Sequence, residues 1–161
     1  MSKRKEYLSW DEYFMGIAFL SAMRSKDPST QVGACIIDKD RKIIGIGYNG
    51  FPMGSSDDTM PWGKEGDFLN TKYPYVVHAE LNAILNSIKS LKDSTIYVTH
   101  FPCNECAKAI VQAGIRKVVF YSDKHKGLDS TKASKMIFKN AGVTMVHLEM
   151  DIEGINIKFE D

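Results

Sequence analysis

Apolar residues along this chain recur first with a helical period, then in short β-rich runs, and then in alternation between the two. Phe14, Ile17, Ala18 and Ser21 share one side of a helix, and Ser9-Trp10-Asp11-Glu12 ahead of them reads as a capping box, with Ser9 as N-cap and Glu12 reaching back. The pattern predicts a helix from about Trp10 to Arg24, stopped at Asp27-Pro28 because proline disfavours helix at the residue before it. Val32–Ile37 and Ile43–Tyr48 are β-rich runs joined by the polar turn Asp38-Lys39-Asp40-Arg41, the pattern of a hairpin. From Asn49 to about Val77 no period holds, and an irregular stretch of that length inside a compact domain is usually functional or mobile.

From His78 onward Leu81, Ala83, Ile84, Leu85 and Ile88 return to helical spacing, and Thr95–Val98 follows as a short strand. Ala107, Ile110, Val111 and Ala113 continue a further helix that Gly114 ends as its C′ residue. Strands at Lys117–Tyr121 and Val143–Leu148 flank a helix from about Ser130 to Asn140. A helix, a hairpin and then alternating strands and helices argue for an α/β fold with right-handed crossovers and helices on both faces of the sheet. Met15 and Met23 on the first helix are candidate core residues. The last residues, from Asp151, carry no clear pattern. With no repeat or linker, one domain over residues 1–161 is expected, long enough to bury a core.

Composition narrows the partners more than the fold. Hydrophobic content of 43% and charged content of 25% are ordinary for a soluble globular protein. Lysine and arginine number 21 against 20 acidic residues, a balance of +1 that offers no broad basic face for nucleic acid. A small ligand is therefore the expected partner. No apolar run approaches the ~20 residues of a membrane span, and the basic start Met1-Ser2-Lys3-Arg4-Lys5 leads into no apolar segment, so a cytoplasmic protein is expected. Three cysteines, two of them at metal spacing, argue against a disulfide framework.

The candidate chemistry lies in His78-Ala79-Glu80 and Pro102-Cys103-Asn104-Glu105-Cys106. One imidazole and two thiolates make three zinc ligands and leave a fourth position for water, whereas a structural site closes all four. A water held there ionises near neutral pH. Glu80, two residues from His78, is poorly spaced to be a ligand from the same helical turn but well placed to carry protons. Both motifs open predicted helices, where orphan N–H groups favour thiolate over thiol at Cys103 and Cys106. The competing arrangement is a closed clip with Cys35 as fourth ligand. Cys35, however, sits in the apolar strand Val32-Gly33-Ala34-Cys35-Ile36-Ile37, where a cysteine behaves as a small hydrophobe, and a clip gives Glu80 no role. His100, His125 and His147 have no partner at ligand spacing and read as surface or strand-end residues.

His-x-Glu with Pro-Cys-x-x-Cys is the known signature of zinc nucleobase deaminases. Together with Arg24-Ser25-Lys26-Asp27-Pro28, Gln31-Val32-Gly33-Ala34, Gly45-Ile46-Gly47-Tyr48-Asn49-Gly50, Thr71-Lys72-Tyr73-Pro74-Tyr75 and Ala79-Glu80-Leu81-Asn82-Ala83-Ile84, it makes the chain resemble the deoxycytidylate deaminases, from about Tyr7 to Leu148. The resemblance implies a three-layer α/β/α fold with a mixed five-stranded sheet. It implies hydrolysis of dCMP to dUMP and ammonia, supplying thymidylate synthesis, with zinc on His78, Cys103 and Cys106 and with Glu80 moving the protons. It further implies the Ala79 N–H as donor to the base and Asn49 as partner of the sugar hydroxyl. Arg24 and Lys26 are its candidates for the 5′-phosphate, with Tyr121 or Lys124 behind them. A homohexamer activated by dCTP and inhibited by dTTP, with Mg2+ accompanying the triphosphate, is implied too, and the loop from Asn49 to Asp58, including Gly50 and Gly54, resembles the effector region. Neither Ser25–Thr30 nor Ser55–Asp58 contains the cysteines with which phage relatives hold a second zinc, so one zinc per chain is expected. A tRNA adenosine deaminase, a nucleoside cytidine deaminase and a non-catalytic nucleotide-binding regulator are the alternatives.

Overall fold

The computed structural model describes residues 1–157 and 159. Its elements run α1 (Trp10–Ala22), β1 (Gly33–Ile37), β2 (Ile43–Tyr48), a short 3₁₀ turn (Phe68–Asn70), α2 (Ala79–Leu85), β3 (Thr95–His100), α3 (Asn104–Gln112), β4 (Lys117–Ser122), α4 (Asp129–Asn140) and β5 (Thr144–His147). The capping box forms as expected, with Glu12 N–H donating to Ser9 Oγ and Ser9 N–H to Glu12 Oε2 at 2.7 Å. α1 stops two residues earlier than its period suggested, because Met23 already caps it and Arg24 N–H turns back to Ser21 O. Met23 is consequently exposed, whereas Met15 is fully buried. α2 is likewise shorter than the apolar pattern, ending before Ile88, and Leu85 and Ile88 face solvent. Gly114 takes φ +88° just past α3, a conformation glycine adopts without steric cost.

The strands form one sheet in the order β2-β1-β3-β4-β5. β1 pairs antiparallel with both β2 and β3, while β3–β4 and β4–β5 are parallel, so the sheet is mixed. β1 is an inner strand, buried along its whole length, which explains its unbroken apolar sequence. Its alternation sorts side chains between two layers. Ala34 and Ile36 pack with Ala79, Ala83, Ala107 and Ile110, on the α2/α3 side, and Phe138 of α4 joins the same cluster. Cys35 and Ile37 pack with Phe14, Met15 and Ala18 of α1 on the other side. Helices therefore cover both faces, and burial of a side chain such as Phe14 contributes roughly 1.5–3 kcal/mol. Among the described residues no helix is long and apolar enough to cross a membrane.

Candidate active site

Two helix starts meet at one edge of the α2/α3 layer. His78 is the N-cap of α2 and Cys103 the N-cap of α3, both with extended backbone, and Cys106 lies in the first turn of α3. The strand-to-helix turn Phe101-Pro102 carries the chain from β3 directly to Cys103. His78 Nδ1 lies 3.5 Å from Cys103 Sγ and 3.4 Å from Cys106 Sγ. Tetrahedral zinc, with bonds of about 2.3 Å to sulfur and about 2.0 Å to nitrogen, requires an S···N separation of about 3.5 Å. The three ligand atoms, all within 4.8 Å of one another, fit that ion. His78 is the exposed member and Cys106 the buried one, so the set opens outward.

The same cluster shows why zinc binding must compete with protons. A hydrogen bond from the Cys106 thiol, reinforced by His78, holds Cys103 down to about 3 despite burial. That bond to Cys103, together with burial, pushes Cys106 up. The Cys103 contact pushes the His78 imidazole up to about 9 against the opposing effect of burial. A divalent cation held by the three would have to displace the protons that these contacts favour on Cys106 and His78.

Glu80 is 4% exposed in the first turn of α2, with its carboxyl raised by burial and only partly brought back by the His78 charge. It lines a cleft of about 260 Å³ shared with Asn49, Lys72, Ala79, His100 and Cys103. Ala79, wholly buried, is the first residue of α2, so its N–H finds no acceptor within the helix. Asn49 is 6% exposed; its Oδ1 accepts the Val32 N–H at 2.8 Å, and its Nδ2 donates to Thr30 O at 3.0 Å and to Asp27 Oδ2 at 3.3 Å.

The remaining candidates are not all gathered here. Arg24 and Lys26 are exposed and outside the cleft lining, though Ser25 between them donates to Asn49 O at 2.8 Å; Lys26 pairs with Asp57. Tyr121 faces a different, apolar cavity of about 470 Å³ beside α1, packing edge-on against Phe19, because it falls on the α1 side of β4. That position removes it as a phosphate contact within this cleft. Lys124 is exposed and likewise outside the lining. Of the effector candidates only Asn49 lines the cleft: Gly50 bridges to Val77, Gly54 sits in an exposed turn at φ +88°, and the Asp58 N–H bonds Ser56.

The lining residues not expected from the sequence include the charged or ionisable Asp27, Lys72, His100 and His125. His100 is the last residue of β3, and burial, with Lys124 and His125 adding to it, holds its imidazole down to about 4. Its place three residues before Cys103, at the end of a strand that feeds the site, was the available signal. His147 remains a strand-end residue whose Nε2 donates to Tyr121 O at 2.9 Å. Asp27 and Lys72 form a buried ion pair. Burial acts to raise the Asp27 carboxyl, but the hydrogen bond from Lys72 and those from the Ser29 and Thr30 N–H groups outweigh it and hold the group below its ordinary value.

The family model described as the cytidine and deoxycytidylate deaminase zinc-binding region matches residues 8–122. Deoxycytidylate deaminase of Mus musculus is 55% identical over 160 residues, covering 98% of this chain and 90% of the relative. Deoxycytidylate deaminase of Homo sapiens is 58% identical over 144 residues, covering 88% of this chain and 81% of the relative. Among solved structures, dCMP deaminase from the cyanophage S-TIM5 in complex with dCMP and dUMP superposes with a TM-score of 0.68 at 27% identity, covering 85% of this chain and 95% of that one.

Proposed function

Because the chain belongs to the cytidine and deoxycytidylate deaminase family, we propose that it hydrolyses dCMP to dUMP and ammonia, supplying dUMP for thymidylate synthesis. The observation that carries this is the His78, Cys103 and Cys106 triangle with the buried Glu80 beside it in one cleft. Zinc bound by those three side chains supplies Lewis acidity that brings the ionisation of a water near neutral pH. Glu80 accepts the proton that water loses and delivers it to N3 of the cytosine, which makes C4 more electrophilic; after attack at C4 it takes the proton of the new C4 hydroxyl and passes it to the departing amine as the carbonyl forms. A single carboxylate suffices for both transfers because burial makes its neutral form accessible. The Ala79 N–H, free of a helical acceptor, donates to the base carbonyl, and Asn49 meets the sugar hydroxyl.

Arg24 and Lys26 are the candidates for the 5′-phosphate, supported by their position on either side of Ser25, which bonds the Asn49 backbone. The wider family reading adds a cytoplasmic homohexamer with one zinc per chain, activated by dCTP and inhibited by dTTP, with Mg2+ bound alongside the triphosphate at the Asn49–Asp58 loop. Ammonia release from dCMP, deoxycytidine, cytidine and dCTP, with and without dCTP or dTTP as effector, tests it. Zinc-loaded protein that leaves dCMP unchanged refutes the proposal.

A further inference from the structure

The cleft contains a charged pair that proton transfer at the base does not use. Asp27 is 2% exposed and Lys72 7%, and they bond one another. A buried ion pair is weak evidence for stability, since desolvation offsets most of its attraction. Its geometry instead fixes orientation. Asp27 Oδ1 accepts the Ser29 and Thr30 N–H groups at 2.8 and 3.2 Å, and Oδ2 accepts from both Lys72 Nζ and Asn49 Nδ2.

An asparagine amide fits its surroundings either way round, and its partners decide which end points where. An ionised carboxylate only accepts hydrogen bonds, so Asp27 admits only the NH₂ end of Asn49. The Val32 N–H only donates, so it admits only the oxygen end. Lys72 keeps Asp27 ionised and compensates its charge in a cleft that must also receive an anionic nucleotide. Both amide hydrogens of Asn49 are spent inside the protein, on Asp27 and Thr30. What remains to a ligand is one lone pair on Oδ1, which takes a donor and nothing else.

We propose that the buried Asp27–Lys72 pair is a specificity device that holds Asn49 as an obligate hydrogen-bond acceptor, so that the sugar subsite selects nucleotides whose 3′-hydroxyl donates. In a 2′-deoxynucleoside 5′-monophosphate that hydroxyl is the only free one on the sugar. Asp27 and Lys72 are positioning residues, acting through Asn49, and their role rests on the deaminase reading that puts the sugar there.

The test is kcat and KM, by ammonia release, for dCMP and for its 3′-fluoro-2′,3′-dideoxy analogue, whose fluorine cannot donate. The unaltered protein is expected to prefer dCMP by roughly tenfold or more in kcat/KM, mainly through KM, because the analogue leaves a buried acceptor unpaired. Asp27→Asn, which takes the ionised acceptor from Asn49 Nδ2 and loosens the Ser29–Thr30 turn whose Thr30 carbonyl holds the same amide, is expected to lower the ratio. Lys72→Met does the same, since a buried carboxyl without its cation takes up a proton and becomes a donor. A merely structural pair would slow both substrates equally and leave the ratio unchanged, and that result overturns the inference. Equal handling of dCMP and the fluoro analogue by the unaltered protein overturns it too, whether or not either variant folds. Absence of turnover with every substrate instead removes the deaminase reading and this inference with it.

Discussion

Replacing Gly47 by alanine strikes the active site from behind. Gly47 lies on β2 directly beneath α2, and a Cβ built there falls 2.3 Å from both Ala79 O and Ala83 N, where ordinary contact begins at 3.4 Å. Both obstacles are backbone atoms of α2, so no side-chain rotation relieves them, and the helix must retreat by about 1 Å. α2 carries His78 at its cap and Glu80 in its first turn, whereas Cys103 and Cys106 belong to α3 and stay behind. The S···N separations of 3.4 and 3.5 Å then open beyond the ~0.2 Å tolerance of a metal site. Overpacking of this kind costs about 1–3 kcal/mol, or roughly 2–12 °C in Tm for a chain of this size. A 1 Å misplacement of reacting groups lowers kcat by about 100-fold. Thermal unfolding, zinc stoichiometry and ammonia release measure the three effects, with Gly127→Ala as control, since nothing lies within 4 Å of that added Cβ and its φ is not positive. Wild-type Tm, zinc content and kcat in Gly47→Ala would falsify the claim that close approach of β2 and α2 positions the site.

Glu80→Gln keeps its shape but cannot carry a proton, so kcat is expected to fall by about 10²–10⁴-fold with zinc retained; metal analysis beside the assay checks both, and surviving turnover sinks the mechanism. Cys35→Ser is expected to keep a full complement of zinc, because Cys35 faces α1 across the sheet from the ligands, its thiol pushed up to about 12 by burial. The same change is expected to lower stability by about 1–3 kcal/mol, the cost of a buried hydroxyl without a partner, and loss of zinc would restore the four-ligand clip. His100 contributes a pH dependence: its folded value of about 4 lies below the ordinary 6.5, so stability is intact above pH 6.5 and drains away as pH falls towards 4. Urea unfolding at pH 7.5 and 4.5 is expected to show a smaller loss in His100→Gln than in the wild type, and parallel losses contradict the assignment.

The parts of the molecule that announced themselves in the sequence are those whose cause is local. Ser9 and Glu12 satisfy each other within one turn, and β1 shows its burial as an unbroken apolar run. His78 and Glu80, like Cys103 and Cys106, fall within one turn each, so their spacing already limited what they could bind. The joining of the two halves is a different matter, since it depends on α2 and α3 lying side by side against the same sheet face. Asp27 and Lys72 had no such local sign. They are 45 residues apart, one at a helix stop and the other in a stretch without period, and a charged residue in either place is normally solvated. Only the fold makes them neighbours, and it is through Asp27, which accepts from Asn49, that the pair is tied to the cleft. Tyr121, named with Lys124 as a weaker phosphate candidate, lies outside the cleft because alternation along β4 turns it to the α1 side. Motif spacing therefore identifies the candidate metal ligands and the buried carboxylate beside them, while the charged pair proposed to orient Asn49 emerges only from contacts distant in sequence.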